Sequence, residues 1–159
     1  MNNLLGNFYQ SKRAWQIESS LPVSFTVHYS NNIFDPKNYD MISYTEEARS
    51  LVVCDENVYN LYSGAIHNYF ERMKRDFKIL KIKCSEPDKT WETTDRILSF
   101  FEKSKVARRE PIIAIGGGVC LDIVGFACSI YRRGIPYIKI PTTLLAIVDA
   151  SVGVKVATN

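Results

Sequence analysis

The chain has little of what metal centres, redox scaffolds and membrane anchors are made from. Its 159 residues include two histidines, His28 and His67, set far apart, so spacing alone assembles no metal site. The four cysteines (Cys54, Cys84, Cys120 and Cys128) contain no CxxC pair, which leaves no zinc-ribbon or thioredoxin-type motif. They read as buried, reduced thiols of a cytoplasmic protein rather than as disulfides. No run approaches the roughly 18 apolar residues of a membrane-spanning helix, and the polar N-terminus lacks the apolar core of a signal peptide. Long blocks of like charge are missing too. Basic residues come in pairs such as Lys12-Arg13, Arg108-Arg109 and Arg132-Arg133, and the net charge is only +3. Such pairs are usually solvated faces, so neither nucleic acid nor a membrane is an expected partner.

What is present is a well-supplied core: 46% of the residues are hydrophobic, enough for one domain of this length. Residues 1–20 show no clean period and are expected to form a mobile arm, with the domain proper at 21–159. Alternation predicts a strand over Val23 to Ser30, with Val23, Phe25, Val27 and Tyr29 on one face. Further strands are expected at Ser50 to Cys54, Phe77 to Ile82, Ile112 to Ile115 and Tyr137 to Ile140. Between them, helical spacing is expected over Val58 to Arg75, over Thr90 to Lys103, and from the glycines to about Tyr131. Strands alternating with helices imply an α/β fold, a Rossmann-like and mostly parallel sheet with helices on both faces. In such sheets ligands bind outside the carboxyl ends of the strands. Asp55 and Asn57, Glu86 and Lys89, Gly116 to Gly118, and Thr142 and Thr143 all fall just past strand ends.

Several of these residues suggest phosphate or nucleotide chemistry, each with a plainer account beside it. Gly116-Gly117-Gly118 permits positive φ and removes side chains where a diphosphate would approach the backbone, but could be a simple strand-to-helix turn. Its spacing is not the dinucleotide fingerprint, since Leu121 follows three residues on. Asp122, expected in the first helical turn, either serves the helix dipole or accepts ribose hydroxyls. Thr142 and Thr143 are cap or turn residues, or line a ligand. Asp149 and Lys155 are a surface ion pair, or two charges in an apolar segment that need a bound partner. Arg133 is an anion clamp or a solvated residue.

The blocks GGGVCLDIVGFACSIYRRG and PTTLLAIVDASVGVKVATN, with VVCDENV and SEPDKT upstream, resemble the sugar phosphate cyclase family typified by 3-dehydroquinate synthase. That resemblance implies an NAD-dependent, phosphate-eliminating lyase. A secondary alcohol of a C7 sugar phosphate is transiently oxidised, phosphate leaves, the ketone is reduced again and an intramolecular aldol step closes a carbocycle. It implies adenosine contacts from Asp55, Asn57, Glu86 and Lys89, and a pyrophosphate cradle at Gly117, Gly118 and Val119. Asp122, Thr142, Thr143 and Leu145 would complete the cofactor site, and Arg133, Asp149 and Lys155 would reach the substrate. Gly153-Val154-Lys155-Val156 replaces the Gly-Gly-Lys-Thr of dehydroquinate synthases. The resemblance is therefore nearer to the sedoheptulose 7-phosphate cyclases, makers of 2-epi-5-epi-valiolone or desmethyl-4-deoxygadusol, than to enzymes acting on DAHP. The family is typically homodimeric, and its divalent metal (zinc or cobalt) is held by a C-terminal helical domain with no counterpart before Asn159. The 159 residues alone are thus expected to be inactive. A polyol or alcohol dehydrogenase-like domain and an inactive fragment acting with a partner chain are the alternatives.

Overall fold

The computed structural model describes residues 7–10, 15–18, 24–45 and 49–153. Within the expected N-terminal arm, β1 (Asn7–Gln10) and β2 (Trp15–Glu18) pair antiparallel. The strand expected over Val23 to Ser30 does not form across the described residues 24–30. Phe25, Val27 and Tyr29 are all more than half exposed. Alternation alone cannot hold a strand that finds no neighbour to pair with.

From residue 49 the chain follows the expected alternation. β3 (Arg49–Asp55), β4 (Asp76–Ile82), β5 (Ile112–Gly116) and β6 (Tyr137–Pro141) form one parallel sheet in the order β4-β3-β5-β6. Three helices connect them: α1 (Glu56–Arg72), α2 (Trp91–Lys103) and α3 (Gly118–Ile130). A short α4 (Leu144–Val148) follows β6. Among the described residues no helix is long and apolar enough to cross a membrane.

β3 and β5 are buried on both faces, which is why they read as unbroken apolar runs. Leu51, Val53, Ile112 and Ala114 face Ile97 and Phe101 of α2 and Leu121 and Val124 of α3. Val52, Cys54, Ile113 and Ile115 face Ile66, Tyr69 and Phe70 of α1, with Met41 from the preceding loop. Phe70 also stacks on Phe77 of β4 at 4.9 Å between centroids. Burying each large side chain is worth about 1.5–3 kcal/mol, against about 1 kcal/mol for a helix cap, so packing holds α1 in place and Asp55 sets where it begins. Tyr62 falls at helical spacing with Ile66, Tyr69 and Phe70, but it is more than half exposed.

Two polar features sit in this core. Arg49 Nε and a terminal guanidinium nitrogen donate to the two Glu110 carboxylate oxygens at 2.6 and 2.7 Å, and the Ala107 amide donates to the same carboxylate at 2.9 Å. The pair ties the start of β3 to the loop that leads into β5. Ser50 Oγ, by contrast, is buried with no hydrogen-bond partner. Ser50→Ala is therefore expected to raise stability by about 1 kcal/mol in urea unfolding, because it removes an unsatisfied hydroxyl from the core. A destabilised variant would show that the hydroxyl is satisfied.

Candidate functional site

The strand order places the site. Numbered within the sheet the order is 2-1-3-4, so the direction in which strands are added reverses between β3 and β5, the switch point at whose carboxyl ends such sheets hold their ligands in a crevice. Asp55 ends β3 and Gly116 ends β5. A Cβ on Gly116 would stand 3.1 Å from Asp55 Cβ and 2.5 Å from Cys120 Cβ. Gly116 is thus a packing residue, required for α3 to approach the sheet this closely. None of the three glycines has positive φ, so the expected left-handed turn is not why they are there. Gly117 lies against Thr143, 3.3 Å from where its Cβ would stand to Thr143 Cγ2, whereas a Cβ on Gly118 would meet nothing within 4 Å.

The four α-helices differ at their N-termini. Asp55 caps α1 by accepting from the amides of Asn57 (2.8 Å) and Val58 (3.2 Å). Thr90 caps α2 through Thr93 N–H, and Thr143 caps α4 through Ala146 N–H. No side chain caps α3, whose first residues Gly118 and Val119 are only partly buried. A helix start with uncapped amides and a bare backbone is suited to an anion such as a pyrophosphate.

Asp122 is the fifth residue of α3, past the first turn where it was expected, so the helix dipole does not account for it. Its carboxylate instead accepts from Lys89 Nζ at 2.9 Å, an ion pair 13% exposed at the lysine and 30% at the aspartate. Lys89 follows a one-turn 3-10 segment, Glu86–Asp88, built on a capping box. In that box Asp88 accepts from the Ser85 hydroxyl and amide, and the hydroxyl bond first, the amide second, hold the Asp88 carboxyl below its ordinary range. Glu86 and Asn57 are exposed at the same rim. The Thr142 amide bonds Gly116 O at 3.0 Å, which brings the β6 end against the glycine turn.

Other expectations land differently. Arg133 sits beyond the far end of α3, at the amino-end rim of the sheet, where the Ile135 amide bonds Cys128 O. Thirteen helical residues, about 20 Å, separate that rim from Gly118. Arg133 is therefore not part of its own chain's crevice. The apolar stretch before Asp149 (Leu144, Leu145, Ile147, Val148) is exposed: Leu144 is 77% and Leu145 69% exposed, and only Ala146 of α4 is buried. Asp149, which ends α4, is exposed as well. Lys155 lies outside the described residues.

Lys139 is the side chain the sequence concealed, a lone cation inside an apolar run. Its Nζ donates to Ala150 O at 2.7 Å and Gly153 O at 2.6 Å. Burial holds its pKa below the ordinary value, with Asp122 opposing the shift. The Cys54 thiol lies buried beneath the crevice. Burial, then Cys120 and Asp55, push Cys54 up to about 12. Among the described residues no group of His, Cys, Asp and Glu could hold a metal ion. A concavity of about 470 Å³ lined by Asn31, Asp35, Asn38 and Asp40 lies on the loop before β3, apart from the strand ends.

The sequence profile of the 3-dehydroquinate synthase N-terminal family matches residues 79–159. Demethyl-4-deoxygadusol synthase of Trichormus variabilis is 37% identical over 160 aligned positions, covering 100% of this chain and 39% of that protein. The structure of 2-epi-5-epi-valiolone synthase from Streptomyces hygroscopicus subsp. jinggangensis, solved with NAD+ and Zn2+ bound, superposes with a TM-score of 0.86 at 34% identity. That match spans 91% of this chain and 40% of the other. A 2-deoxy-scyllo-inosose synthase complexed with carbaglucose-6-phosphate, NAD+ and Co2+ superposes at 0.64 with 29% identity, over 72% of this chain and 31% of its own. The chain thus spans about 40% of the length of the first two relatives.

Proposed function

The chain belongs to the 3-dehydroquinate synthase N-terminal family, and on that footing we propose that it is the NAD-binding part of a sugar phosphate cyclase. Sedoheptulose 7-phosphate is the favoured substrate, in line with the valiolone and gadusol synthases it resembles. The observation that carries the proposal is the start of α3, the one α-helix among the described residues with no side-chain cap, beside a glycine whose missing Cβ leaves open space.

In this reading the amides of Gly118 and Val119 hold the pyrophosphate, with Gly117 keeping the approach clear. Asp55 is committed to α1, so its part is to present the Asn57 end of that helix to the adenosine moiety. Lys89 and Asp122 act as a pair: the carboxylate accepts a ribose hydroxyl while the ammonium offsets its charge beside the phosphates. Glu86, Thr142, Thr143 and Leu145 line the remainder of the cofactor site, and Asp149 and Lys155 face the sugar phosphate. NAD, when bound, supplies reversible hydride acceptance for oxidation of the secondary alcohol and its later re-reduction. A divalent metal belongs to the proposal only with the part of the relatives that this chain does not cover. The same reading makes the assembly a homodimer and leaves Arg133 available only to a crevice other than its own chain's.

The test is a calorimetric titration of NAD into the folded chain. Saturable binding is expected, weakened roughly 10- to 100-fold in Asp122→Ala, the range of a lost hydrogen bond to a charged group, and kept in Lys155→Ala. A folded sample that takes up no NAD would overturn the reading.

A further inference from the structure

Lys139 pairs in register with Ala114, so it projects from the face of β6 that α3 covers. A lysine there would ordinarily run its stem along the apolar surface and keep its ammonium in water. This one turns its ammonium onto two main-chain carbonyls, Ala150 O and Gly153 O, at 2.7 and 2.6 Å. Both belong to the turn after α4. The other backbone bonds of that turn stay local: Ser151 N–H to Ala146 O at 2.8 Å, and Val152 and Gly153 N–H to Asp149 O at 3.1 and 2.8 Å. Among the described residues the Lys139 bonds tie the turn to the sheet through polar contact, and they are charge-assisted and partly buried, the conditions under which such bonds are strong. Asp122, whose carboxylate attracts the same ammonium, sits on the neighbouring helix.

We infer that Lys139 is a positioning residue: its two carbonyl bonds hold the turn that carries Asp149 against β6, and so set where that carboxylate meets the sugar phosphate. The substrate half of this statement rests on the proposed function, while the anchoring half stands on geometry alone. On α4 itself Ala146 packs into the core, while the other apolar side chains face outward and add no hold on the sheet.

Hydrogen exchange on the whole chain separates the possibilities. Lys139→Met keeps the stem and loses the donors; Lys139→Arg keeps both a cation and donors of similar reach. In Lys139→Met the amides of Ser151 and Gly153 are expected to exchange about tenfold faster or more, with the β3 and β5 amides unchanged. Lys139→Arg is expected to restore most of the protection. Unchanged exchange in Lys139→Met would overturn the inference, as would equal acceleration throughout the sheet or a failure of arginine to rescue. An NAD titration of the wild-type chain, run alongside, reports on the cofactor reading alone. Absent binding with the expected exchange pattern would unseat that reading and leave the anchor supported.

Discussion

Gly116→Ala is expected to cost about 3 kcal/mol of folding stability, the upper end for overpacking a tight core, and to lower the urea midpoint accordingly. The new methyl would stand 2.5 Å from Cys120 Cβ, 2.7 Å from Cys120 Sγ and 3.1 Å from Asp55 Cβ. Two of these neighbours are β-carbons fixed to the backbone, so no rotamer change relieves the contact; β3, β5 or α3 must shift. With total stabilities of about 5–15 kcal/mol, that loss takes a large share. Gly118→Ala is the paired test. Its Cβ meets nothing, and alanine is a better helix former, so stability should hold or rise by about 0.5–1 kcal/mol. Its effect belongs on NAD affinity, because the methyl would occupy the approach to the helix start. A Gly116→Ala chain as stable as the wild type would refute the packing account. Full NAD affinity in Gly118→Ala would refute the cradle.

Glu110→Ala is expected to be the other severe change. The carboxylate is 3% exposed and accepts two guanidinium bonds and one amide bond. Breaking a buried pair by deleting one partner costs about 3–5 kcal/mol, and because Arg49 keeps 31% exposure we expect about 2–3 kcal/mol. The effect should depend on pH with a defined sign. Burial alone would raise the Glu110 carboxyl, but the Arg49 and Ala107 bonds outweigh it and hold the group below its ordinary value. A depressed carboxyl contributes its full stability above the unfolded value of about 4.3 and loses it as pH falls through the lower folded value. Urea unfolding of wild type and Glu110→Gln should therefore differ at neutral pH and converge on acidification. A difference that grows toward low pH would contradict the assignment.

Much of the fold was legible because its signals are local. α1, α2 and α3 begin and end within about three residues of where periodicity and polar breaks put them, since a 3.6-residue stripe acts over a few neighbours; α4 was not expected. The misreadings share one cause. Phe25, Val27 and Tyr29 alternate like a strand, yet pairing depends on a partner the pattern does not contain. The glycines read as a positive-φ turn, yet Gly116 is small because Cys120 and Asp55 crowd it. Asp149 reads as a charge in an apolar segment, yet the apolar residues before it, Leu144, Leu145, Ile147 and Val148, face outward, and sequence does not say which way they face.

By itself the sequence determined the α/β class, the positions of four parallel strands, the glycine-led α3 and the motif order that marks the family, because hydrophobic period, turn chemistry and residue spacing are written along the chain. Tertiary structure decided the rest. The order β4-β3-β5-β6 opens the crevice between Asp55 and Gly116. Packing of α2 and α3 joins Lys89 to Asp122 across 33 residues, and strand β6 turns Lys139 onto the Asp149 turn. The length and direction of α3 carry Arg133 to the opposite rim. Such pairings are set by which surfaces bury one another, a sum over distant residues that no local pattern encodes.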